Sequence, residues 1–183
     1  MPLFSLILNL LYNPSEAWQY LANTNYKYPR PILMYAMPFI FLGAFSFFIN
    51  RTLDFYSHLA IFEMVINILV NASALVFSIH LIKQLAPRYK SLDQIPEVTL
   101  VMVYGLTPLF IISVFAHFIL KPEVVFFMGV VLSAYPISQG FKIIMKTPEH
   151  MLVGFTILAM MLFLGINFFF SVVLSNFLAL FQF

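Results

Sequence analysis

The chain has 183 residues, of which 62% are hydrophobic, 18% aromatic and only 9% charged, with a formal net charge of +2. A soluble domain carries roughly 25% charged residues. This chain has too few to cover a water-facing surface, and its mean hydropathy of +0.97 places it in a bilayer. The absence of cysteine excludes disulfides, thiolate metal sites and thiol nucleophiles, and no polar stretch is long enough to build a separate soluble domain.

Taken in chain order, residues 1–30 form an N-terminal interfacial segment. The apolar run Leu3 to Leu11 is too short to cross a membrane, which takes roughly 20 residues. It has no Lys or Arg ahead of it and no small-residue cleavage site, so it does not read as a signal peptide. With Pro14 to Asn23 it reads as helix lying in the interface, a depth that suits Trp18 and Tyr20. Residues 31–183 are predicted to be an all-α bundle of five transmembrane helices spanning 32–50, 59–82, 98–119, 123–144 and 151–178. Continuous apolar runs favour helices over barrel strands, because a helix pairs its own backbone inside the hydrocarbon.

Helix starts recur as a pattern. Asn13-Pro14-Ser15-Glu16 offers a cap residue, a proline in the first turn and an acid near the positive end of the helix dipole. Pro96-Glu97, Pro122-Glu123 and Pro148-Glu149 repeat the proline and acid ahead of spans three to five, so these glutamates read as boundary markers. The cations give the orientation. With the N-terminus in the cytoplasm, the inner segments hold Lys27, Arg30, Lys83, Arg88, Lys90, Lys142 and Lys146, and the outer loops only Arg51 and Lys121. The C-terminus then lies on the outer side. No internal repeat is visible, so an inverted-repeat transporter is not indicated.

Span two contains "IFEMVINILVNAS", Ile61 to Ser73. At about 100° per residue, Glu63, Asn67, Asn71, Ala74 and Ser78 share a stripe about 80° wide. Intramembrane carboxylates rarely face lipid, so the stripe must face other helices or a wet cavity. Span five repeats the idea with Asn167, Ser171 and Ser175. The plainer reading of the carboxamides and hydroxyls is interhelical hydrogen bonding. Glu63 sits near the outer end of span two, where His117, Arg51 and Lys121 are the available partners. Span three carries Tyr104-Gly-Leu-Thr107-Pro108. Pro108 removes its own amide and clashes with the Tyr104 carbonyl, so a kink is expected there, with Thr107 available to the freed group. Tyr135-Pro136 and Pro38 interrupt spans four and one in the same way. The four histidines show no metal-ligand spacing, and no nucleophile–base, phosphate-loop or dinucleotide pattern is present, so no cofactor, metal or nucleic-acid partner is expected.

Three segments carry a resemblance: "NPSEAW" (Asn13 to Trp18), "LAPRYKSL" followed by "YGLTPLF", and "AYPISQGFKIIMKTPEHMLVGFT". In order and spacing they resemble the Yip family of Ypt/Rab-GTPase-interacting membrane proteins over nearly the whole chain. The resemblance implies five membrane helices with a cytoplasmic N-terminus. With only residues 1–30 ahead of the first span, the chain looks like the bacterial, inner-membrane branch. The expected function is non-enzymatic, through contacts with lipids, a membrane-protein partner or a second copy. Lys83, Arg88, Lys90, Lys142 and Lys146 are candidates for anionic lipid headgroups, at about 1 kcal/mol for each cation near such a surface. The alternative is a transporter or channel for a small solute or ion, along the span-two stripe and the Pro108 kink.

Overall fold

The computed structural model describes residues 2–24, 28–53, 57–115 and 121–179. Two short helices, α1 (Leu3–Tyr12) and α2 (Pro14–Ala22), come first. Span one is a π-helical turn, Ile32–Ala36, running into α3 (Met37–Leu53), and span two is α4 (Ser57–Leu85), closed by a 3-10 turn, Ala86–Tyr89. Span three is divided into α5 (Ile95–Gly105) and α6 (Thr107–Phe115), and spans four and five are α7 (Pro122–Ile143) and α8 (Glu149–Ala179). Five helical stretches are long and apolar enough to cross a membrane: Ile32–Asn50, Ala60–Tyr89, Ile95–Phe115, Pro122–Ile143 and Glu149–Asn176. The protein is therefore an all-helical, multi-pass membrane protein.

The prolines act as the sequence implies. Each sits in the opening of α2, α5 or α7 with a glutamate in the first turn. Asn13 differs in detail, because its side chain makes no cap bond and its amide instead donates to the Glu16 carboxylate at 3.1 Å. The widened turn at Ile32–Ala36 lies immediately before Pro38, where the backbone must give way to the ring. Pro136 stays inside an unbroken α7.

Span three is the centre of the bundle, and every residue from Val98 to Phe110 is buried. Its break after Gly105 is closed at both sides. The Thr107 hydroxyl donates to the Tyr104 carbonyl (2.6 Å), the group whose helical partner Pro108 removes, and the Tyr35 hydroxyl donates in turn to Thr107 (2.7 Å). The Leu109 amide donates to Ser133 Oγ of α7 (3.3 Å), which itself donates to the Gly129 carbonyl (2.7 Å). Glycines allow the close approach this needs. A Cβ on Gly129 would lie 2.8 Å from Leu109 Cα, and one on Gly105 would lie 2.6 Å from Ile137 Cγ1. Phe41, Phe45, Phe62, Leu69, Phe77, Val153, Ile157 and Met161 remain exposed around the outside, an apolar girdle suited to acyl chains.

The N-terminal helices are tied to span four through α2. Trp18 is fully buried; its ring packs on Gly140, and its Nε1 donates to the Pro136 carbonyl at 2.8 Å. Ser15 Oγ donates to Gln139 Oε1 at 3.3 Å. The physical reason is that Gly140 leaves a slot an indole can fill, and a buried indole N–H needs an acceptor. α1 buries Leu6 and Leu10 and exposes Leu3, Phe4 and Leu8.

The end of the bundle that carries the lysines is tied together by its loops. Leu92 N donates to Met145 O (2.8 Å), Ser91 and Thr147 share a hydroxyl–hydroxyl bond (2.8 Å), and the rings of Tyr89, Phe155 and Phe141 stack in sequence.

Candidate functional site

α4 and α8 run antiparallel along the longest helix–helix contact of the bundle. Asn167 Nδ2 of α8 donates to Asn71 Oδ1 (3.2 Å), and Asn71 Nδ2 donates to both the carbonyl (2.8 Å) and Oδ1 (3.0 Å) of Asn67. The three carboxamides thus form a directional relay between two spans. Among the described residues, the side-chain oxygen of Asn167 and the amide of Asn67, at the two ends of the relay, have no hydrogen-bond partner.

Asn67 and Asn167 both line a half-open cavity of about 670 Å³, within the roughly 300–1,000 Å³ range of small-molecule sites. It is walled by residues of all five spans. The span-two stripe contributes Glu63, Asn67 and Asn71, and α8 contributes Asn167, Ser171 and Ser175. α3 and α6 contribute Gly43 and Ser113, at a close crossing where a Gly43 Cβ would be 3.2 Å from Ser113 Cβ. Phe39, Phe47, Phe110, Phe126, Phe127 and Phe168 supply rings. By chain position Glu63, Glu123 and Ser175 lie at the end of the cavity away from the lysines, and its floor lies at Asn71, Val70 and Leu109, near mid-span. Such a lining offers hydrogen-bond donors and acceptors on one wall and aromatic surface on the other. Among the described residues, no group of three or more His, Asp or Glu is placed to hold a metal ion.

Of the residues singled out in the sequence, the structure brings Glu63, Asn67, Asn71, Asn167 and Ser171 into this one cavity. Tyr104, Thr107 and Pro108 stand apart from it, in the core below the floor, where their chemistry is spent on closing the broken span. Ser78 continues the stripe but is fully buried beyond the floor. His117, and the side chain of Arg51 with it, lies outside the described residues, so the expected Glu63–His117 and Glu63–Arg51 contacts do too. Glu123, which looked like a helix-start marker, Ser113 and Gly43 are among the wall residues not read as site residues from the sequence. Their place depends on which helices are neighbours, and a single chain's periodicity does not reveal that.

At the opposite end, Arg88, Lys90 and Lys146 are exposed and Lys83 is half-buried. Lys142 is engaged by Glu149 at 2.6 Å, which offsets its charge. Lys90 and Lys146 both adopt left-handed backbone (φ 53° for each), an unusual state for a side-chain-bearing residue, held here by the loop-to-loop bonds beside them.

Comparison of the chain with family models, with curated proteins and with solved structures finds no match in any of the three.

Proposed function

We propose that this protein is a membrane-embedded solute carrier or channel without a reaction of its own, taking a small molecule into the cavity between its five spans. The observation that carries the reading is the convergence of Glu63, Asn67, Asn71, Asn167 and Ser171 on one cavity of about 670 Å³. Two helices that packed only to bury their polar groups would bring them together dry; here the residues at both ends of the carboxamide relay line the cavity. The cation count supports an orientation with the N-terminus and lysine-bearing loops in the cytoplasm, so the Glu63 end of the cavity faces outward, and the resemblance to the bacterial Yip branch supports a plasma (inner) membrane.

The test is osmotic swelling of proteoliposomes by stopped-flow light scattering, with glycerol, urea and methylammonium as probes. Swelling faster than in protein-free vesicles with at least one probe, slowed in Asn71→Leu or Glu63→Gln, supports the reading. Rates equal to protein-free vesicles for all three remove it.

A second reading has its own observation. The segments that resemble the Yip family pack on one another: Ser15 and Trp18 dock on Pro136, Gln139 and Gly140, and Ser91 and Leu92, which end "LAPRYKSL", are bonded to Thr147 and Met145 of the loop after span four. This supports a Yip-type protein that presents a fixed cationic face to anionic lipids or to a membrane partner.

A further inference from the structure

The cavity between the spans has a sign of charge as well as a shape. Among the described residues that line it, the charged ones are Glu63 and Glu123, both acidic; no lysine, arginine or histidine takes part. Lys121, two residues before Glu123, is exposed and lies outside the lining. A carboxylate accepts several hydrogen bonds, so one already engaged by a neighbour can take a further donor. Glu123 and Phe127 stand four residues apart on α7, share a face of it and both line the cavity. An ammonium is attracted by a carboxylate and by the face of a ring alike. From Glu63 the α4 wall runs about 12 Å along the helix to Asn71. Beside Leu109 of the floor, the rings of Phe110 and Phe39 stack with centroids 6.0 Å apart and planes 9° apart, and both residues belong to the lining. The cavity therefore grades from acid at one end to aromatic at the other, with Asn67 and Asn167 offering hydrogen bonds along one side.

We propose that the solute of this cavity is an organic cation: an ammonium whose charge sits at the Glu63 and Glu123 end and whose apolar, ring-bearing body extends toward Phe39 and Phe110. A cleft lined by one sign of charge concentrates the opposite ion by tenfold or more. The same two carboxylates repel an anion, and a neutral solute of the same shape forgoes the ionic contact. This rests on the reading of the cavity as a solute site and adds the chemical class of the solute.

The chain has no cysteine, so an introduced thiol reports alone. Ser171→Cys, a nearly isosteric exchange on the cavity wall, is placed in nanodiscs of zwitterionic lipid and treated with a trimethylammonium-bearing or a sulfonate-bearing methanethiosulfonate. Each rate is divided by that reagent's rate with a free thiol in solution. Phe77→Cys, on the apolar girdle, is the lipid-facing reference, because thiolate forms in water and not in hydrocarbon. The cationic reagent is expected to be favoured at least about tenfold over the anionic one, and the preference to collapse in a Glu63→Gln/Glu123→Gln background. Benzylammonium, added as a competitor at pH 7, is expected to slow the reaction more than equal concentrations of benzyl alcohol or benzoate. If the thiol reacts but the two reagents are equal, the preference survives the double exchange, or benzyl alcohol protects as well as benzylammonium, the cavity stands as a solute site and its choice of cations is overturned. If Ser171→Cys is no faster than Phe77→Cys with either reagent, the cavity is dry and both readings fall. Should the double variant fail to give a monodisperse protein, Glu123→Gln alone, at an exposed position, decides by the same ratio.

Discussion

Asn71 makes hydrogen bonds to two residues on two helices, and no other described side chain joins spans two and five in this way. Asn71→Leu removes all of them and is expected to lower stability by about 1–2 kcal/mol, since single interhelical bonds in membranes are worth about 0.6. Chemical unfolding in detergent micelles measures this. Trp18 separates two contributions in the same assay. Trp18→Phe keeps most of the packing and loses the bond to Pro136, a cost of about 1 kcal/mol, whereas Trp18→Ala also empties the slot over Gly140 and is expected to cost about 3–5 kcal/mol. At this scale the sequence was partly legible. The four-residue spacing of Glu63, Asn67 and Asn71 declared a shared face without any partner. Glu123 was opaque, because its proline neighbour gave it a sufficient local explanation and nothing in a linear chain says that the openings of spans two and four meet. The packing of Trp18 was opaque for a related reason: the usual preference of an indole for the membrane surface accounted for it locally, and Gly140, on which its ring packs, is far along the chain.

Broken span three illustrates how an element is specified by its neighbours. Pro108 announced the interruption and Thr107 its remedy for the Tyr104 carbonyl, both local. The Leu109 amide, by contrast, is met by Ser133, a residue that no local pattern marks out. The seam between α6 and α7 depends on Gly129, so Gly129→Ala is expected to destabilise by about 1–3 kcal/mol through overpacking against Leu109. Gly165→Ala is the contrast. Nothing lies within 4 Å of the added carbon, and the exchange is expected to be neutral or to stabilise by up to about 1 kcal/mol through helix propensity. Parallel thermal unfolding of the two variants checks the pair, and equal effects would refute the seam.

For the molecule as a whole, five spans were readable from hydropathy alone, because hydrocarbon demands long apolar helices and tolerates little else. Which helices wall the cavity was not readable, since adjacency follows from side-chain fit across the bundle. Charge asymmetry acts at this scale too. Replacing Lys83, Arg88, Lys90, Lys142 and Lys146 by Gln is expected to weaken binding of soluble anionic lipid to nanodisc-embedded protein, with Lys142 contributing least because Glu149 already engages it. Native mass spectrometry of retained lipid measures this, and unchanged retention with unchanged topology would remove a lipid-docking role. The Trp18 anchor also imposes an order of assembly. Its acceptor lies 118 residues downstream, so at synthesis rates of about 5–20 residues per second the opening hairpin waits about 6–24 s for its seat to emerge. The first part of the protein to be made is thereby among the last to be locked in place, and a nascent chain stalled before span four leaves the ribosome with an unshielded tryptophan for the insertion machinery to guard.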